Sequence, residues 1–362
     1  MIVNRGVFSS LLQELKLTDS KDFMEFFRIS PQLFHILMDA LRDDLTKCHT
    51  NYKKPIDPER KLMLTLRYLA TGATFRTIHK TFGLGLSTAR LAIYDVCSAI
   101  QKQLTPSELP NQTAESLRET SEHFYRRWKY PHCIGALARR SIRIKRISGG
   151  NITQPYNRNH DLLLQVQAVT DADGMFTFLE IGEYVDTYPF KASSLGQAIM
   201  NKEIPIPSEE PVLNATTLPY VFVSDETFPL VANVMRPYPK RNVTYCSTKR
   251  AYNHCHSQVR QVAERTFDKM TSRWGILEGT LVVNYNFAKL IVIACCILHN
   301  FVERRKTLDN YNDQTLEDIT IPGDQATEHG EKKTPINTMG RPAVYALHVR
   351  DSIANLIEND LS

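Results

Sequence analysis

A carboxylate at the end of a buried strand, with a second on a helix packed against the same sheet, can hold divalent cations against a phosphodiester. Two residues of this 362-residue chain suit that chemistry. Asp225 follows Leu218 to Ser224, a short, nearly all-apolar run that reads as a buried central strand, and an α/β sheet presents its ligands at such strand ends. Glu264 comes 39 residues later, in a stretch where Val259, Val262, Ala263, Phe267 and Met270 form an inner apolar face at helical spacing. Two-metal phosphoryl chemistry needs carboxylates on two Mg²⁺ or Mn²⁺ ions about 4 Å apart, one activating water and the other stabilising the departing 3′-oxygen. Spacing alone leaves a second reading open. An Asp after a strand commonly forms a turn, and Glu264, bracketed by Arg260 and Arg265, also reads as a surface ion pair.

Basic chemistry is concentrated just before the first hairpin. Arg139, Arg140, Arg143, Lys145 and Arg146 place five basic residues in eight positions, a run able to hold phosphates by charge and bidentate hydrogen bonds or simply to be a solvated strand end. A second DNA-binding candidate is Arg90, with Ser87 and Thr88. It stands on a helix from Leu86 to Leu104, read as capped by Ser87, which follows a short helix and a Gly83-Leu84-Gly85 break, the outline of a helix-turn-helix. His254-Cys255-His256 reads as structural, because adjacent helical residues point apart. His299-Asn300 reads as a buried hydrogen-bonding pair. No P-loop, G-x-G-x-x-G or G-x-S-x-G is present, so neither a nucleotide cofactor nor serine-hydrolase chemistry is expected.

The elements that must position these residues fall into four stretches. Residues 1–110 form a helical region: Ser30-Pro31 caps one helix, and Pro58 starts another that ends at Thr71-Gly72. From 125 to 305 the pattern becomes α/β. Strands run over His132 to Arg146, Leu162 to Asp171 and Met175 to Ile181, with Asp171-Ala172-Asp173-Gly174 as a hairpin turn, and helices run over Asn253 to Trp274 and Asn286 to Arg304. Residues 306–342 read as a flexible linker and 343–362 as a last helix. Apolar residues are 42% and charged residues 23%, ordinary globular usage. The net charge of +5 permits a nucleic-acid partner without demanding one. Seven cysteines without a C-x-x-C spacing argue for a reducing compartment and against a disulfide framework or structural zinc. Apolar runs such as Leu290 to Leu298 are shorter than the roughly 20 residues of a membrane span, and Met1 to Leu15 does not read as a secretory leader, so no membrane is expected.

Five strings stand in order along the chain: Phe26-Phe27-Arg28-Ile29-Ser30, Leu66-Arg67-Tyr68-Leu69-Ala70-Thr71-Gly72, Asp225-Glu226-Thr227-Phe228-Pro229-Leu230, Met235-Arg236-Pro237-Tyr238-Pro239 and Cys295-Cys296-Ile297-Leu298-His299-Asn300-Phe301. Together they resemble the transposases of the Harbinger superfamily and the domesticated nuclease-like proteins derived from them, over residues 22–360. The resemblance implies an N-terminal helical region with a helix-turn-helix, then an RNase H-like (DDE transposase) α/β domain that cleaves or transfers DNA with Mg²⁺ or Mn²⁺. It further implies a Myb-like partner protein and a nuclear setting, with the cytoplasm as an additional one. Carried over, Asp225 and Glu264 match the catalytic, metal-binding aspartate and glutamate, and Asp186 matches a further metal-binding aspartate after the third strand. At the first strand this chain departs from the family. Gly135-Ala136-Leu137-Ala138-Arg139-Arg140-Ser141 has Ala138 where the family carries its first catalytic aspartate, the ligand shared by both ions, and Ser141 where it carries histidine. The expectation is therefore a weakened or lost metal site and a scaffold bound to DNA or chromatin, the alternative being an active endonuclease.

Overall fold

The computed structural model describes residues 20–46, 56–145, 162–183, 190, 193–201, 203–212, 216–308 and 343–361. The chain divides into two compact units. The first comprises Met1–Pro110, Ser141–Leu164 and Asp268–Asn312, and the second Asn111–Arg140, Gln165–Phe267 and Asp313–Ser362. The architecture is mixed α/β.

The first unit is mainly helical: α1 (Ser20–Phe27), α2 (Pro31–Leu45), α3 (Pro58–Thr71), α4 (Phe75–Thr81), α5 (Leu86–Glu108) and α9 (Tyr285–Glu303). Helix α2 starts as its sequence dictates, with Pro31 in the first turn and the Ser30 hydroxyl accepting from the Leu33 amide at 3.2 Å. Gly72, at φ +63°, ends α3 in the left-handed conformation that a side chain disfavours. Between α4 and α5 the chain turns through Gly83, and the Leu84 amide donates to the His79 carbonyl at 3.0 Å. Gly85, not Ser87, occupies the cap position of α5, and no side chain caps it; Ser87 lies inside the first turn. Helix α5 also runs on through Pro106 to Glu108. Helix α9 is long and apolar enough to cross a bilayer by composition, which the shorter run Leu290 to Leu298 did not suggest. Its side chains are nevertheless mostly buried, as in the core helix of a soluble protein, and it packs along α5. At one end of that pair Glu108, fully buried, accepts from Arg304 Nε at 3.0 Å and Arg305 Nη1 at 2.8 Å, while its carbonyl takes Asn300 Nδ2 at 2.8 Å.

The second unit holds most of a five-stranded sheet in the order β3-β2-β1-β6-β7, with β1 Cys133–Ile144, β2 Leu162–Thr170, β3 Phe176–Glu183, β6 Val221–Val223 and β7 Val234–Met235. Strands β1, β6 and β7 run parallel. The β2–β3 turn is made by Asp171, whose carboxylate takes the amides of Asp173 and Met175 at 2.9 Å, and by Gly174 at φ +78°. A separate hairpin pairs β4 (Glu210–Val212) with β5 (Thr216–Leu218). The apolar run from Leu218 to Ser224 is thus two strands, not one. Pro219, which has no amide hydrogen to give a ladder, separates them. Helices α6 (Ala114–Trp128), α7 (Ser194–Met200), α8 (Ser247–Arg273) and α10 (Val344–Leu361) complete the set, α8 passing out of the unit after Phe267. One sheet face buries Ile134, Leu137, Phe222 and Val234 with Phe190, Leu195 and Phe228. Gly135 is required there: a β-carbon would come within 2.4 Å of Val169 Cγ1.

Candidate functional site

The site lies at the C-terminal ends of the parallel strands β1 and β6, where such sheets present functional side chains. Register pairs Ala136 with Val223. Two residues further along each strand stand Ala138 and Asp225, so the positions expected to carry paired carboxylates are neighbours. Asp225 is half-buried and its Oδ1 accepts from the Thr227 amide at 2.7 Å and from the Thr227 hydroxyl, which makes it the former of the turn that leaves β6. Ala138 is 2% exposed and contributes only a methyl group.

Alternation along β1 sends Ala138 and Arg140 to one face and Arg139 to the other. The contacts agree. Arg139 donates from Nε to Gln167 Oε1 at 3.0 Å and lies 4.2 Å from the centre of the Phe228 ring. Arg140 stands 5.6 Å from the Phe267 ring centre on α8 and reaches Glu264 on the same helix at 3.8 Å. Glu264, 38% exposed, also meets Arg260 one turn earlier at 3.5 Å. The helical carboxylate therefore sits between two guanidiniums, which are charged at all accessible pH. The site fits a divalent metal poorly. One carboxylate is engaged in a turn, the second faces arginines, and the first-strand position has no ligand. Among the described residues no three His, Cys, Asp or Glu side chains gather as a metal-binding group.

Helix α8 brings a second group to this strand end. His256 is buried, and its Nε2 lies 2.8 Å from the Ser224 carbonyl, so Nε2 donates and Nδ1 is the bare nitrogen. Burial pushes its pKa down to about 3. His254 is exposed and Cys255 is buried, so the three consecutive residues do point apart. Asp171 and Asp173 supply no ligand here: the first closes the hairpin, and the second pairs with Arg127 of α6. Two arginines missed in the sequence stand near the same end of the sheet. Arg236 follows β7, and Arg350 comes from α10. Arg236 belongs to the Met235 to Pro239 string that carried the resemblance. Nothing local in the sequence marks Arg350.

In the first unit, Arg90 is exposed on α5, its guanidinium 5.8 Å from the Phe75 ring centre. Arg143 and Lys145 are exposed at the end of β1. Asp186 and Arg146 lie outside the described residues.

Residues 141–300 match the DDE superfamily endonuclease family. The match begins three residues past Ala138. Along most of its length the chain is 24% identical to Protein ALP1-like of Arabidopsis thaliana, covering 83% of this chain and 74% of the relative. It is 23% identical to the Bos taurus protein named "Putative nuclease HARBI1", covering 88% of each. This chain is a Harbinger-derived, DDE-superfamily nuclease-like protein. A further relative, at 21% identity over 86% of this chain and 78% of its own length, is the Arabidopsis thaliana protein named antagonist of like heterochromatin protein 1. No solved structure matches. Enzymes of the DDE superfamily generally use divalent metals, and the side chains at this Harbinger-derived centre meet that requirement incompletely.

Proposed function

We propose that this Harbinger-derived protein keeps the RNase H-like layout of a DDE nuclease without its chemistry, and acts as a scaffold associated with DNA or chromatin. The observation that carries the reading is the substitution of cation for anion at the sheet end: Ala138 beside Asp225, with Arg140 and Arg260 on Glu264. Two dications held about 4 Å apart repel strongly unless a carboxylate bridges them. Removing that carboxylate and adding guanidiniums works against both ions at once. The basic run Arg139, Arg140, Arg143, Lys145 and Arg146 then supplies phosphate contacts of a sequence-independent kind. Helices α4 and α5, read as a helix-turn-helix, would offer Arg90 to a groove, and a Myb-like partner in the nucleus would add most of the sequence discrimination. Chromatin as the setting draws support from the relative named for antagonism of a heterochromatin protein.

The competing reading is a working Mg²⁺- or Mn²⁺-dependent endonuclease built on Asp225, Glu264 and Asp186, and the family match favours it. A plasmid assay separates the two. With the purified full chain and Mn²⁺, supercoiled DNA should remain uncut. Cleavage that disappears in Asp225→Ala would overturn the scaffold reading and establish the endonuclease.

A further inference from the structure

A buried charge is ordinarily paired with an opposite one, because leaving it alone in a low-dielectric interior is costly. Arg350 departs from that rule. It is 6% exposed, and its guanidinium lies 4.0 Å from the centre of the Tyr238 ring. Its Nε is buried without a hydrogen-bond partner. The adjacent Asp351 does not serve it, since that carboxylate accepts from the Tyr238 hydroxyl. Among the described residues no carboxylate forms an ion pair with Arg350.

Like charge gathers around it. Arg236, half-buried after β7, is close enough to Arg350 that burial and then this repulsion lower its pKa, with Glu226 acting the other way. Arg260, on α8, and Arg350 both act on His256, whose buried Nδ1 is a second polar atom without a partner. Three guanidiniums from three separate elements thus converge at the strand end that carries Asp225, and of these Arg260 already pairs with Glu264. Guanidinium forks match the oxygens of a phosphate bidentately, and a phosphate would supply both the counter-charge and the acceptor that Arg350 lacks.

We propose that Arg236 and Arg350, flanked by Arg260, form a site that takes one phosphate group without a metal ion. The inference rests on the reading of this centre as metal-free, and it names the chemical group that occupies the space. The phosphate is either a diester within a nucleic-acid strand or a free monoester, and the two share this recognition.

The test uses the full chain in EDTA. Thermal unfolding is followed in sodium phosphate and in sodium chloride at equal ionic strength, because a ligand that binds only the folded state raises the midpoint. Phosphate should raise the wild-type midpoint relative to chloride. In Arg350→Met, whose side chain still covers Tyr238, and in Arg236→Gln, the phosphate concentration needed for the same rise should increase about tenfold or more. Arg350→Lys, which keeps the charge, should recover part of the effect. Arg42→Ala, an exposed change in the first unit, should behave as wild type. Arg236→Gln carries the test alone if Arg350→Met does not fold. Displacement of phosphate by an oligonucleotide without terminal phosphates assigns the site to a strand diester; binding of inorganic phosphate alone assigns it to a monoester. Equal midpoints in phosphate and chloride, or an undiminished phosphate effect in both arginine variants, would overturn the proposal. Mn²⁺-dependent nicking with the phosphate effect intact would instead overturn the scaffold reading and leave this site standing.

Discussion

Ala138 and Glu264 locate the departure from nuclease chemistry at single side chains, and each can be reversed. In Ala138→Asp the new carboxylate shares a strand face with Arg140, which would pair with it before any ion arrives. The single change should therefore raise Mn²⁺ affinity less than Ala138→Asp combined with Arg140→Ala, which also releases Glu264 from its 3.8 Å contact. Titration calorimetry on both variants checks the ranking. His256 sets a second test at this scale. Its pKa is depressed from the ordinary 6.5 to about 3, so the folded state holds the neutral ring while the unfolded chain protonates below about pH 6.5. The contribution of this burial is fully present above the unfolded pKa and is lost as pH falls toward 3. Between pH 8 and pH 5 it removes about 2 kcal/mol. His256→Asn, which keeps a donor for the Ser224 carbonyl, should lose correspondingly less stability over that interval in urea titrations at the two pH values.

Elements respond to substitution according to how tightly their backbones approach or how completely their charges are paired. Gly135→Ala would drive a methyl into Val169 across β1 and β2 and should destabilise the protein by about 2 kcal/mol, measured by denaturant unfolding. Glu108→Ala would leave Arg304 and Arg305 without their shared carboxylate at the end of α5 and should cost about 3 kcal/mol by the same measurement. Elements governed by local chemistry are legible in the sequence. Ser30-Pro31 caps α2, Gly72 ends α3, and Asp171 with Gly174 makes the β2–β3 turn, because each acts on backbone within four residues. Contacts between distant residues are not legible. Helix α8 starts at Ser247, well before Asn253, where the Ser247 and Thr248 hydroxyls donate to Glu358 of α10, a residue remote in sequence. The same holds at the site. Asp225 is legible from the apolar strand before it and Glu264 from the helical stripe around it, yet the pairing of Glu264 with Arg140 and the burial of Arg350 depend on tertiary approach, which leaves no periodic signal.

For the molecule as a whole, a net charge of +5 means that DNA affinity must come from local concentrations of charge rather than from the overall field. Replacing Arg139, Arg140 and Arg143 together by alanine should weaken binding to all sequences alike and flatten the dependence of log affinity on log salt by up to ~3 units, about one for each phosphate no longer neutralised. Arg90→Ala should instead act mainly on a preferred sequence, because groove contacts discriminate and backbone contacts do not. Fluorescence anisotropy across a salt series distinguishes the two patterns. The central claim, that arginines and a methyl group have displaced the metal pair from this DDE-derived centre, is tested most directly by titrating Mn²⁺ into the wild-type full chain in a calorimeter. The account predicts no saturable heat at this centre, and therefore no difference between wild type and Asp225→Asn. Stoichiometric binding of two ions, abolished in Asp225→Asn, would contradict it.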